Sequence, residues 1–219
     1  ATNLTATNFI GISDDAILDT ASGNITIKGG IAATGLTSLT PGSDYYVQND
    51  GSLAAGVTSI PYDISGATFV DAFSVSSQES DPRGIAFNTD GTKMFIVGSG
   101  GDEVNQYALS TGFDVSTASF TQTFSVAAQE IIPEAIAFNT DGTKMFITGL
   151  NGDDVNEYAL STGFDVSTAS FTDAFSVAGQ ETAPTGLSFN TDGTKMFIVG
   201  EVGVDVNEYA LTTGFDVST

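Results

Sequence analysis

An all-β repeat architecture is what this chain predicts, on three observations. The string FNTDGTKMFI occurs three times, at Phe87–Ile96, Phe138–Ile147 and Phe189–Ile198, with a constant offset of 51 residues. Identity runs on past it: YALSTGFDVSTAS closes the first two copies and YALTTGFDVST the third. Strand-sized segments lie between turn residues, with no helical periodicity.

Each unit reads as four strands. In the first, GIAFN (Gly84–Asn88) is a short apolar strand. Asp90-Gly91 follows, a strong hairpin signal because Gly takes positive φ without penalty. KMFIVG (Lys93–Gly98) is the second strand, and a Gly-rich loop leads to the third, VNQYAL (Val104–Leu109). The connection STGFDVSTAS precedes the fourth, FTQTFSV (Phe120–Val126), which alternates apolar with small polar residues. Four antiparallel strands in a repeat of this length describe a β-propeller blade.

The chain divides near Ile60–Gly66, where SIPYDISGA separates two patterns. Residues 1–60 read as a small β-module for attachment or assembly, 61–68 as a linker, and 69–219 as three blades in repeats 69–119, 120–170 and 171–219. FVDAFSV (Phe69–Val75) is a counterpart of FTQTFSV with no blade of its own ahead of it. Such a strand usually joins the last blade and closes the ring. Three blades are too few for a ring, since propellers need roughly 4–8. The expectation is that the natural chain continues or that another chain completes it.

Two resemblances follow from these residues. The pattern P-x-G-[IL]-[AS]-F-N-x-D-G-T-K-M-F-[IV]-x-G, seen in Pro184–Gly200, resembles the YVTN/lactonase-like propeller repeat, over about Phe69 to Thr219. The segment FIGIS…GNITIKGGI…GLTSLTPGSDYYVQNDGSLA, about Phe9–Gly56, resembles small β-modules of tailed-phage tail fibres and related virion appendages. The closing G-x-A-x-x-x-x-L-L-I strand of that module is not evident here.

Charge is lopsided, with 27 acidic residues against 5 basic and a net charge of −22. A nucleic-acid partner is disfavoured, because there is no basic surface to release counterions. An anionic membrane is disfavoured likewise, and no apolar run approaches the ~20 residues of a membrane span. Strong acidity suits solubility, high-salt or marine water, or divalent cations. His and Cys are absent, which excludes a Ser-His-Asp triad, a Cys nucleophile and His-ligated metals within this span. No basic-plus-apolar segment opens the chain, so it reads as mature or without a secretory signal.

Two acidic positions recur in all three units. One is Gln-Glu after the outer strand: Gln78-Glu79, Gln129-Glu130 and Gln180-Glu181. The other precedes the third strand: Glu103, Asp154 and Asp205. Blade topology puts both series on one rim. As a ligand-binding rim they would take a cation, calcium first, since oxygen is the only ligand type on offer. No other cofactor is expected. The competing reading is that Glu79 and its copies bond local backbone N–H groups, as repeated residues usually serve the repeat's own fold. Lys93, Lys144 and Lys195 read as hairpin ion pairs with Asp90, Asp141 and Asp192. Phe113, Phe164 and Phe215 read as loop anchors, and Tyr107, Tyr158 and Tyr209 as sheet core.

The units differ most in SSQESDPR, AAQEIIPE and AGQETAPT, and in SGGDE, LNGDD and EVGVD. An invariant frame with variable loops is how a recognition surface is built. The reading is therefore a tailed-phage virion structural protein, a tail-fibre or appendage subunit on the virion surface, and not an enzyme. Its partners would be sister subunits in a homo-oligomer, other virion proteins, and a host glycan or outer-membrane protein. The alternatives are a secreted or cell-surface bacterial propeller adhesin and a lactonase-like propeller enzyme.

Overall fold

The structure is a computed structural model that describes residues 67–219 and, ahead of them, four short strands. The chain divides into two compact units, Ala1–Phe69 and Val70–Thr219. In the first, β1 (Thr26–Ile27) pairs antiparallel with β2 (Gly30–Ile31), and β3 (Tyr45–Val47) with β4 (Leu53–Ala55). The rest of the N-terminal module, and with it most of the Phe9–Gly56 resemblance, lies outside the described residues.

The second unit holds three antiparallel sheets in simple meander order. The first comprises β5 (Pro82–Phe87), β6 (Lys93–Gly98), β7 (Glu103–Leu109) and β8 (Ala118–Ser125). The second repeats it with β9 (Pro133–Phe138), β10 (Lys144–Gly149), β11 (Asp154–Leu160) and β12 (Ala169–Ser176). The third has β13 (Pro184–Phe189), β14 (Lys195–Gly200) and β15 (Val206–Ala210). Adjacent sheets approach one another through β5, β9 and β13, so these are the inner strands of propeller blades. Within the given span the third sheet has three strands, and Phe69–Val75 belongs to no sheet. The helices among the described residues are two single 3-10 turns, Val115–Thr117 and Val166–Thr168, each capped by an Asp that accepts from the Ser N–H two residues on.

The pleat explains the stacking. In β6, Met94 and Ile96 point to one face while Phe95 and Val97 point to the other, and all four are buried. A strand buried on both faces needs a continuous apolar run, which KMFIVG supplies. Phe95, Val97 and Val104 of the first sheet pack on Ile136, Met145, Ile147 and Tyr158 of the second. Phe146 and Val155 repeat the contact with Met196 and Ile198 of the third. Each hairpin depends on its glycine. Gly142 has φ +72°, and a Cβ there would overlap the ring of Phe164, itself at φ 55°. The Phe164 ring also lies 6.4 Å from that of Phe95 in the preceding sheet, so the loop anchor is part of the contact between sheets.

Candidate recognition rim

The connection between blades and the turn between the second and third strands meet at one rim, joined by a carboxylate. Glu79 accepts from the backbone N–H groups of Asp81 (2.7 Å) and Gly100 (2.8 Å). Glu130 accepts from Ile132 (2.7 Å), Asn151 (3.1 Å) and Gly152 (3.3 Å). Glu181 accepts from Ala183 (2.8 Å), Val202 (3.2 Å) and Gly203 (2.9 Å). Their exposures are 1%, 0% and 0%. A buried carboxylate needs such donors to offset the loss of water. The Gly203 N–H, with those of Ala183 and Val202, holds the Glu181 carboxyl below the ordinary range against the upward pull of burial. The preceding glutamines face the tyrosines: the Tyr209 hydroxyl donates to Gln180 at 3.3 Å.

The second series lies alongside. Glu103 accepts from the Thr123 hydroxyl (3.1 Å), Asp154 from the Asn156 amide (2.7 Å) and Asp205 from the Asn207 amide (3.0 Å). Burial pushes the Asp154 carboxyl up, partly countered by Asn156. Gly203 is flanked by the carboxylates of Asp205 and Glu181 and by the Gln180 carbonyl, which brings the two series together in the third unit. Among the described residues no group of three or more acidic side chains is placed to hold a metal.

The lysine reading is corrected. Lys93 Nζ donates to the carbonyl of Phe164 in the next unit (2.7 Å), and Lys144 Nζ to that of Phe215 (2.6 Å). Lys144 also pairs with Glu157 at 2.7 Å. The aspartates are engaged elsewhere: Asp90 Oδ1 accepts from the Thr92 N–H (3.0 Å) and hydroxyl (2.6 Å), and Asp141 and Asp192 do the same in their units. The lysines therefore tie blade to blade at the end opposite the rim.

One constellation was not singled out from sequence. Arg83, the chain's one arginine, opens the inner strand β5 and pairs with Asp81 at 2.8 Å. Its Nη1 lies 3.4 Å from Glu134 Oε1 at the equivalent position of β9. The Ser99 hydroxyl donates to Asp81 at 2.7 Å. Burial raises the Glu134 carboxyl, Arg83 opposes that, and Glu201 of the third unit is near enough to reinforce it. Glu134 Oε1 is buried without a hydrogen-bond partner. Asp81, Arg83, Ser99, Glu134 and Glu201 all occupy positions where the units differ. The signal was present: the residue after the invariant proline is Arg, Glu or Thr in an otherwise repeated strand. At the other end, a shallow cleft of about 350 Å³ between β9 and β13, lined by Phe138, Leu187, Phe189 and Phe215, has no titratable side chain.

No family model matches the chain, and no curated protein matches it. Solved structures do. A putative 6-phosphogluconolactonase from Bacteroides uniformis is 14% identical, with TM-score 0.47 over 78% of this chain and 47% of its own. The periplasmic gluconolactonase of Pseudomonas aeruginosa is 18% identical, with TM-score 0.45 over 59% of this chain and 35% of its own. The β-propeller domain of Myceliophteria thermophila Cps50 (Swd1) is 10% identical, with TM-score 0.43 over 58% of this chain and 37% of its own. The chain spans less than half the length of these proteins. Two of them are named as lactonases, one of them as putative, which overturns the expectation that this chain is not an enzyme. Among the described residues no helix is long and apolar enough to cross a membrane.

Proposed function

We propose that the chain is an extracellular recognition module whose propeller rim binds a surface saccharide. The observation that carries this reading is the convergence of unit-specific side chains from three blades around Arg83, on a rim whose repeated carboxylates hold the backbone in place. Arg83 supplies only donors, and Asp81, Glu134 and Glu201 only acceptors when ionised. Sugar hydroxyls both donate and accept and suit that alternation. A net charge of −22 disfavours polyanions and favours neutral or amine-bearing sugars. In its finer form the module is a tailed-phage appendage subunit meeting a host, which rests on the N-terminal resemblance; a secreted or cell-surface bacterial adhesin would use the same rim.

A glycan microarray probed with the purified chain tests the reading. Binding to a restricted set of neutral or amino sugars is expected, with a loss of at least tenfold in Arg83→Ala and none in Lys195→Ala at the far end. Binding unchanged by Arg83→Ala would remove the rim from consideration. Glu134 supports a second reading, acid–base chemistry at the same place: a buried carboxyl with a raised pKa beside an arginine is poised for proton transfer. Turnover of a sugar lactone that is lost in Glu134→Gln would favour that reading over binding alone.

A further inference from the structure

We infer that Glu134 is the seat of an ammonium subsite on this rim, and that the saccharide bound there presents a free primary amine rather than an N-acetyl group. The inference rests on the recognition reading and narrows its ligand. Glu134 belongs to the middle of the three sheets, so the inner strands on both sides of it, β5 and β13, are present. It is only 9% exposed, yet its Oε1 has no hydrogen-bond partner. A buried acceptor left unpaired is costly, most of all when charged, and a ligand that brings a donor removes that cost.

The charges around Glu134 decide what the donor is. Arg83 stands at the matching position of β5, but its Nη2 is taken by Asp81 at 2.8 Å, and Nη1 comes no nearer to Glu134 Oε1 than 3.4 Å and makes no hydrogen bond to it. Asp81 also accepts from the Ser99 hydroxyl, so Arg83, Asp81 and Ser99 form a closed set without net charge. In the middle unit Ile132 and Leu150 stand where the first has Asp81 and Ser99, and neither side chain can donate to Glu134. On β13 the matching residue is the uncharged Thr185. Glu201, just past β14, is near enough for its charge to act on both Arg83 and Glu134. Glu134 and Glu201 are thus left with one cation between them, and that cation is already paired. The lysines of the described blades are engaged elsewhere, Lys93 with the Phe164 carbonyl, Lys144 with Glu157 and Lys195 with Glu208.

A primary ammonium supplies what is missing. It carries one positive charge and three donors, enough for Glu134 Oε1, for Glu201 and for a hydroxyl or water. A divalent metal needs more oxygen ligands than two carboxylates, and among the described residues no group of three or more acidic side chains is placed to hold one. Acetylation removes the charge of the amine, which would leave the buried carboxylate without a counter-ion. A site that holds a desolvated charge rejects the analogue that fails to pair it, so the free amine is selected.

Calorimetric titration of the purified chain at fixed ionic strength tests this with three disaccharides of one backbone: the glucosamine dimer, its di-N-acetylated form, and cellobiose. The glucosamine dimer is expected to bind roughly tenfold more tightly than the acetylated form. Glu134→Gln, which keeps the shape of the side chain, should erase that preference and leave cellobiose binding in place. Glu201→Gln, at an exposed position, should weaken the amine form alone, and it repeats the test without touching a buried side chain. Glu208→Gln, an acid at the far end, should change nothing; equal weakening there would mean general attraction to an acidic chain and overturns the inference. Disaccharides bound through Arg83 without preference for the amine, or with a preference that survives both Glu134→Gln and Glu201→Gln, overturn it too and leave the recognition reading standing. Butylamine, titrated alongside, separates the two: its binding through Glu134 while no disaccharide binds supports the subsite and overturns the saccharide reading. No binding of any of the four overturns the subsite.

Discussion

Glu130 shows how one side chain sets the shape of the rim. Its carboxylate draws together the N–H groups of Ile132, Asn151 and Gly152, on two loops about 20 residues apart in sequence. Ile132 is half-buried and Asn151 and Gly152 lie exposed at the rim, so the carboxylate fixes loops that water would otherwise solvate. Glu130→Ala is therefore expected to destabilise the chain by about 1.5–3 kcal/mol, the loss of hydrogen bonds to a charged acceptor. Urea unfolding checks it; a change within about 0.5 kcal/mol would mean that water replaces the carboxylate freely. The rim thus separates two kinds of residue. Repeated acids hold backbone, and unrepeated neighbours such as Arg83 and Glu134 are left to meet a ligand.

Between blades, the joint has three parts. Apolar side chains alternate across each strand and bury against the next sheet. Phe164 and Phe215 wedge over the hairpin glycines. A lysine then reaches from each of the first two sheets to the carbonyl of a phenylalanine in the following unit. The third lysine, Lys195, has only the surface partner Glu208, with both side chains about half exposed (49% and 52%). Surface pairs of that kind contribute about 0–1 kcal/mol. Lys93→Met should therefore cost about 1–2 kcal/mol more than Lys195→Met, since a part-buried carbonyl loses a charged donor. Parallel denaturant titrations of the two variants make the comparison. Equal losses would show that the bond between blades is incidental.

Across the propeller unit, titration sets the acid limit of stability. Asp90, Asp141 and Asp192 sit below the ordinary range because Thr92, Thr143 and Thr194 donate to them. Asp165 and Asp216 do so through Ser167 and Ser218, Asp81 through Arg83, and Glu181 through backbone N–H groups. A carboxyl depressed in the fold stabilises it above the unfolded value, near pH 4, and loses that contribution as pH falls through the folded value. Glu134 and Asp154, raised by burial, act with the opposite sign, but they are outnumbered. The melting midpoint is expected to hold between about pH 7 and 5 and to drop below about pH 4. Asp141→Asn should flatten that drop slightly. A midpoint that rises on acidification would show that relief of the −22 charge outweighs these bonds.

Strand number, strand position and the hairpin turns were legible because they depend on local chemistry: period-2 burial, Asp-Gly turns, and a copied string that must fold the same way each time. The tie of Glu79, Glu130 and Glu181 to backbone was legible in kind for the same reason, since identical residues at identical loop positions serve the loop. The direction of Lys93 and Lys144 was not. Asp90 is three residues from Lys93 in sequence, while Phe164 is 71 residues away, and only the stacking of one sheet on the next brings that carbonyl within reach. Arg83 and Glu134 escaped notice for a related reason. They stand 51 residues apart on different blades, and inner strands must lie side by side before their charges can meet.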